Sequence, residues 1–298
     1  MFIAGGRWNR GEASLESCVF FARGLRVHLM TTRALTFDSR YLCPLEGQSD
    51  AAGTLVALIE GQATYRDSVG EAPQERTRTV FRFENDEYER RHINAPVLRL
   101  YGATRRSVEI SMPREVMRMQ TRFAVTPPEL DAIVECMAND TLSHEERSRA
   151  CIQLCDVLAL HGLTSTRLSA QAQEAVPESV QRVCQALIRL YARLDTGAYL
   201  ELLAGLAGVS PRQATRDMVM LLEMFPVSGR TFREMVKVLR IRRAALLLSA
   251  PNVTATAIAK DVGYGGLDAM ARAFRDVGLP PPSAIRAELR SADTPPLD

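Results

Sequence analysis

Apolar residues in the first third of the chain come in short runs separated by glycines. Runs at 18–21, 25–30, 54–59, 79–83 and 97–101 are rich in β-branched, aromatic and aliphatic side chains. Gly24, Gly47, Gly53, Gly61, Gly70 and Gly102 fall between or beside them. Short strands with no helical period between them predict an antiparallel barrel or jelly roll. Residues 55–65 read as two strands joined at Gly61.

After Met112 the period becomes helical. One short helix is expected over 113–122, and Thr126-Pro127-Pro128-Glu129 reads as a cap followed by first-turn prolines. Ser143-His144-Glu145-Glu146 has the form of a capping box and opens a helix to about His161. Its apolar positions Ala150, Ile152, Leu154, Val157, Leu158 and Leu160 are wider than one stripe, which suits packing on both the strands and a second subunit. Residues 163–175 are polar and read as a linker. Pro177 then starts a helix with Val180, Val183, Leu187, Ile188, Tyr191 and Leu194 on its buried side, interrupted at Gly197. The remainder is helical to about Arg290, before a frayed tail around Thr294. The expected division is therefore 1–165, a linker at 166–175, a helical unit at 176–290 and a tail at 291–298. The fold class is α+β, a strand-rich N-terminal region followed by an all-α C-terminal region.

Composition narrows the function classes. The chain has 298 residues, of which 46% are hydrophobic and 24% charged, as in globular proteins. No run approaches the ~18 apolar residues of a membrane helix. Arg7, Arg10 and Glu12 interrupt anything resembling a leader, so the cytoplasm is the expected location and no membrane partner is expected. The six cysteines are dispersed and form no disulfide framework. From residue 175 onward 16 Lys and Arg face 12 Asp and Glu, whereas the preceding residues hold 21 and 23. The basic excess thus lies in the helical region, where an anionic polymer would bind.

A local pattern occurs twice within the helical region. Ala204-Gly205-Leu206-Ala207-Gly208-Val209-Ser210 is followed about 55 residues later by Ala259-Lys260-Asp261-Val262-Gly263-Tyr264. In each, alanine precedes glycine by four residues and an apolar residue follows the glycine. Alanine permits a close helix crossing, and glycine can take the left-handed conformation that ends a helix. This is the chemistry of a helix-turn-helix unit, whose second helix can enter a DNA major groove. In the first copy Ser210 caps and Pro211 starts that helix. Arg212, Gln213, Thr215 and Arg216 follow, residue types that pair with guanine and adenine edges. Between the copies, residues 232–244 alternate apolar and basic positions at helical spacing, which leaves arginines for phosphates.

These residues resemble the AraC/XylS family of bacterial transcription regulators. The run Arg240-Ile241-Arg242-Arg243-Ala244 with Leu246-Leu247-Leu248 is similar to the family's connecting helix. The run 253–259 with Val262-Gly263-Tyr264 resembles its second helix-turn-helix, and Arg272-Ala273-Phe274-Arg275 with 278–283 and Arg286 its closing signature. The resemblance spans roughly the last 100 residues. It implies a cupin-like N-terminal β-barrel for sensing, dimerisation helices and a homodimer. It also implies promoter DNA and RNA polymerase as partners, and an activator controlled by a small molecule. Control by a partner protein, a chaperone or anti-activator, is the alternative, and a cupin-type enzyme the remote one. No cofactor, metal or catalysis is expected. The DNA-binding residues expected are Ser210, Arg212, Gln213, Thr215, Arg216, Arg272 and Arg275.

Three positions depart from the family pattern. The connection from Val209 to Arg240 is several residues longer than usual. Asp217 falls at an apolar position of the first recognition helix. The second recognition helix begins Gly265-Gly266-Leu267-Asp268, where amide or small polar residues are usual. Glycines carry no side chain to read bases. The first unit is therefore expected to supply most readout, and the second to contact phosphates through Arg272 and Arg275 or to act as a scaffold. Cys151 and Cys155 share a helix face and read as buried apolar residues. His28 and His92 lack a partner histidine at metal-ligand spacing. The arginine-rich stretch 76–91, interleaved with acids, reads as a solvated edge.

Overall fold

Among the described residues nine strands precede the helices: β1 (Phe2–Arg10), β2 (Ala13–Ala22), β3 (Leu25–Arg33), β4 (Phe37–Asp38), β5 (Ala52–Arg66), β6 (Gln74–Arg76), β7 (Thr79–Glu84), β8 (Val97–Pro113) and β9 (Phe123–Val125). They come from a computed structural model that describes residues 1–41, 52–66, 74–84, 97–191, 198–227 and 229–291. The features expected at Gly47, Gly70, Leu194, Gly197, His92, the acids of 85–91 and the 292–298 tail lie outside these residues. All pairings are antiparallel in the order β1-β2-β3-β8-β5-β7-β9, with β4 on β8 and β6 on β5. The two end strands, β1 and β9, do not pair with each other among the described residues.

Residues 55–65 form one strand, not two. β5 runs through Gly61 with register shifts between Leu58 and Glu60 and between Glu60 and Gln62. Gly61 has φ +109° and opposes Gly102 at φ +134°, so paired irregularities bend the sheet where a hairpin was expected. A Cβ on Gly61 would lie 3.0 Å from the Tyr101 carbonyl oxygen. Gly61→Ala is expected to lower the unfolding free energy by about 1–3 kcal/mol, measurable by urea denaturation.

The helices are α1 (Leu130–Ala138), α2 (His144–Leu160), α3 (Arg167–Ala172), α4 (Glu178–Tyr191), α5 (Leu200–Ala207), α6 (Pro211–Met224), α7 (Phe232–Leu247), α8 (Ala255–Asp261), α9 (Leu267–Arg275) and α10 (Pro282–Ser291). The helix expected at 113–122 is absent. β8 continues to Pro113, and a 3-10 turn follows at Arg114–Val116. Thr126 caps nothing: its hydroxyl donates to the Leu58 carbonyl at 3.0 Å and ties the end of β9 to β5. The capping box at Ser143 is present, with the Ser143 hydroxyl accepting from the Glu146 amide and the Glu146 carboxylate accepting from the Ser143 amide. Residues 166–175, expected as a linker, contain α3, whose Leu168 and Ala172 are buried. Periodicity missed this helix because six residues span less than two turns.

Each face of the sheet buries a helical layer, because strand residues alternate sides. Phe20, Leu25, Val27, Leu55, Val108 and Ile110 pack on α1–α3 through Leu130, Val134, Cys151, Leu154 and Leu158. The other face, with Leu15, Met30, Phe37, Val56, Leu58 and Phe81, shares one core with Ile241, Leu247, Ile258, Phe274 and Leu289 of the C-terminal helices. A third cluster joins α4, α6 and α7 through Val183, Leu190, Met218, Leu221 and Met235. Three arginines of the expected solvated edge, all among the described residues, have partners. Arg78 pairs with Asp131, Arg82 donates to the Met119 carbonyl, and Arg76 lies over the Phe123 ring. Among the described residues no helix is long and apolar enough to cross a membrane.

Candidate nucleic-acid interface

The first unit is built by α5 and α6. Gly208 ends α5 at φ +68°, the Gly208 amide donates to the Gly205 carbonyl, and the Val209 amide donates to that of Ala204 at 3.0 Å. Leu203 and Ala204 are buried at the crossing. The Ser210 hydroxyl accepts from the Gln213 amide at 3.2 Å and Pro211 occupies the first turn, so α6 starts where both residues favour it. Ser210→Ala is expected to cost about 1 kcal/mol of stability in a urea titration.

α6 buries Ala214, Asp217, Met218 and Leu221. Its outer stripe, three and four residues apart, carries Arg212, Thr215, Arg216, Val219 and Glu223. All five are exposed. Gln213 is half-buried, and its side-chain amide donates to Asp217 at 2.7 Å. Asp217 is only 1% exposed, with Arg182 of α4 at 4.0 Å from its second oxygen. The acid at an apolar position is thus met by a helical neighbour and a cation from another helix on the buried face of α6. To reach a base, Gln213 would have to leave Asp217.

The second unit repeats the turn. Thr254 caps α8, the Gly263 amide donates to Lys260, and the Tyr264 amide donates to the Ala259 carbonyl at 2.8 Å. That last bond matches Val209 to Ala204 in the first unit. α9 starts at Gly266 with no side-chain cap; it buries Met270, Ala273 and Phe274. Side chains added at Gly265 or Gly266 would meet open space, so the local packing does not require glycine at either position. Arg272 and Arg275 are exposed, and no carboxylate among the described residues holds either one.

α7 joins the units. Its buried face carries Met235, Val238 and Ile241. Arg233, Lys237 and Arg240 line a cleft of about 860 Å³ together with Arg230, with Thr215 and Val219 of α6, and with Arg272 of α9. Lys237 reaches Asp276 at 3.7 Å, a surface contact worth little. Residues of both units and of α7 therefore border one basic cleft. The positions expected from sequence are brought together only in part. Thr215 and Arg272 line the cleft, Arg212 and Arg216 share the outer stripe of α6 with Thr215 but lie outside the cleft lining, as does Arg275, Ser210 is the cap, and Gln213 is turned inward. Sequence reasoning missed Val219 as an outward position, and identified the α7 cations only as a general basic face.

Both units are also anchored on the sheet. The Gly24 amide donates to the Met224 carbonyl at the end of α6, and Phe225 meets Phe2 and Phe21 edge-on. Asp261 accepts from the Trp8 indole at 2.8 Å and from Arg10 at 2.7 Å. Burial opposes its charge, but these bonds hold its carboxyl below the usual range. Glu288 accepts from Tyr41 and pairs with Arg40 and Arg99. Deeper in, Glu109 of β8 bonds Arg26 of β3 and Arg242 of α7.

Two small cavities lie in this junction. One, about 70 Å³, is lined by Arg26, His28, Glu109, Tyr191, Arg242 and Arg243 together with apolar side chains. The other, about 50 Å³, is almost wholly apolar, with Phe2, Leu187, Phe225 and Phe232 in its wall. They share Phe21, Tyr191, Val227 and Leu239. Burial pushes His28 down to about 3, and its Nε2 has no hydrogen-bond partner. Burial would raise the Glu109 carboxyl, but Arg242 and Arg26 hold it at about 2.

Paired turns, capped or extended second helices and a shared basic cleft define a DNA-binding domain with two helix-turn-helix units. Residues 203–288 match the helix-turn-helix domain family, a span that contains both turns. This region of the chain is an AraC/XylS-type DNA-binding domain. No curated protein matches the sequence. Among solved structures the chain is similar to ToxT from Vibrio cholerae, at 9% identity over 88% of this chain and 98% of that one, with a TM-score of 0.35. A ToxT structure bound to an unsaturated fatty acid gives 10%, 87%, 94% and 0.36. The AraC-like transcriptional activator CuxR gives 14% identity over 80% and 83%, with a TM-score of 0.27. These are distant likenesses.

Proposed function

We propose that the chain is a homodimeric, cytoplasmic transcription activator that reads promoter DNA chiefly through α6. Residues 1–165 form a cupin-like sensing and dimerising unit and residues 176–290 the DNA-binding unit. RNA polymerase is the further partner that the family resemblance implies. The observation carrying this reading is the pair of matching turns around one basic cleft. Arg212 and Arg216 reach base edges, Ser210 positions the helix, and Thr215 contributes a methyl because its hydroxyl donates back to the Pro211 carbonyl. Gln213 joins the readout when it exchanges Asp217 for a base. Arg272 and Arg275 hold phosphates, so the second unit positions the domain without specifying sequence. The test is a mobility shift of the full chain against sheared genomic fragments. The reading fails if no fragment outcompetes random DNA.

The controller in this reading is a small anion with an apolar body rather than a partner protein. Arg26 and Arg242 meet at the buried Glu109 carboxylate and Arg243 lines the same cavity, beside an apolar one, which supports this choice. The cavities are smaller than the roughly 150 Å³ that admits benzene. A ligand must therefore move the sheet and helices apart, which couples its binding to domain docking. Straight-chain carboxylates are the first probes. A rise in melting temperature that disappears in Arg243→Ala is expected, and no shift with any chain length would remove this choice of controller.

A further inference from the structure

We infer that Val219 of α6, with the Thr215 methyl beside it, reads thymine 5-methyl groups in the operator, flanked by the arginines of the same stripe. This rests on the reading above that α6 enters the major groove. Five large apolar side chains are exposed among the described residues, and three of them, Tyr199, Val219 and Met220, belong to the first helix-turn-helix unit. Single exposed apolar residues are ordinary. An adjacent pair at 45% and 40% exposure on the outward side of a recognition helix needs a further reason. The inward side of α6 shows that apolar residues were available for packing there, since Met218 and Leu221 are buried beside them.

The position of Val219 supplies that reason. It lies seven residues after Arg212 and three after Arg216, so the helical period sets it between Arg216 and Glu223 on the outer stripe. It also lines the basic cleft with Thr215, Arg233, Lys237, Arg240 and Arg272. A surface with cations around an apolar centre complements a polyanion that carries methyl groups between its phosphates. Duplex DNA presents that combination in the major groove, where the thymine methyl is the apolar mark of an A·T pair. Met220, about 100° further round the helix, sits at the edge of the stripe and covers a neighbouring base step.

The experiment uses the full chain and the genomic fragment it selects, prepared once with thymine and once with deoxyuridine, so that only 5-methyl groups differ. The wild-type chain is expected to bind the uracil duplex about fourfold more weakly for each methyl it covers. Val219→Ala should bind the thymine duplex more weakly and lose most of the thymine-to-uracil ratio. Val219→Ile should keep it. Circular dichroism checks that the exposed substitutions leave the fold intact. Equal binding of the two duplexes by the wild type, or an unchanged ratio in Val219→Ala, overturns the inference while leaving DNA binding standing. Failure to select any fragment removes the DNA reading and this inference with it.

Discussion

Replacing Arg212 and Arg216 together by alanine is expected to abolish operator preference while leaving the protein folded. Both side chains are exposed on α6 and form no ion pair among the described residues, so truncating them removes no packing. A bidentate arginine–guanine contact contributes about 1–3 kcal/mol of discrimination, so the double substitution should weaken the selected fragment about 30-fold or more. Binding to random DNA should fall far less, because Arg233, Lys237, Arg240 and Arg272 still line the cleft. The opposite pattern is expected for Arg272→Ala with Arg275→Ala: a uniform loss across sequences, and a salt dependence shallower by about two phosphate contacts. Titrations at several salt concentrations separate the two. A loss from Arg212 and Arg216 that is equal for operator and random DNA would show that α6 does not read bases.

The turns at Gly208 and Gly263 were legible because their causes are local. A small residue at the crossing, a left-handed glycine and the start of the next helix lie close together in sequence, and both turns form the same hydrogen bonds. The capping box at Ser143 was legible for the same reason. What escaped depended on partners far along the chain. β1 hides behind Gly5, Gly6, Arg7 and Arg10, and it becomes a strand by pairing with β2 along its whole length. Asp217 looked misplaced because neither its link to Gln213 nor Arg182 can be inferred from its position alone. The continuity of β5 through Gly61 depends on Gly102, which supplies room on the neighbouring strand. Least visible was the junction between the sheet and the helices. Glu109 and Arg242 are 133 residues apart, and nothing near either signals that they meet.

Glu109→Gln should therefore be among the most damaging single substitutions in the chain. The carboxylate is buried between Arg26 and Arg242, and an amide in its place removes the negative charge that Glu109 supplies to both guanidiniums. Breaking a buried pair from one side costs about 3–5 kcal/mol. That is a large part of the roughly 5–15 kcal/mol that typically holds a domain folded. Replacing Arg26, Glu109 and Arg242 together by apolar residues of similar size should be far milder, because no buried charge is then stranded. Acid acts on the same junction. Glu109 has a folded pKa depressed to about 2, so its contribution is complete above the ordinary carboxylate value and is lost as pH falls toward 2. His28 is held neutral down to about pH 3, so below its ordinary 6.5 the unfolded chain takes up a proton that the folded chain refuses. Stability should thus decline from about pH 6.5 with a slope approaching about 1.4 kcal/mol per pH unit, and more steeply once Glu109 joins. His28→Gln should flatten the upper range of that decline and leave the lower range. Urea midpoints at about pH 7.5, 5.5 and 4 test both statements. A Glu109→Gln protein within about 1 kcal/mol of wild type at neutral pH would mean that water reaches the arginines and that the sheet and α7 are not closed on each other in solution.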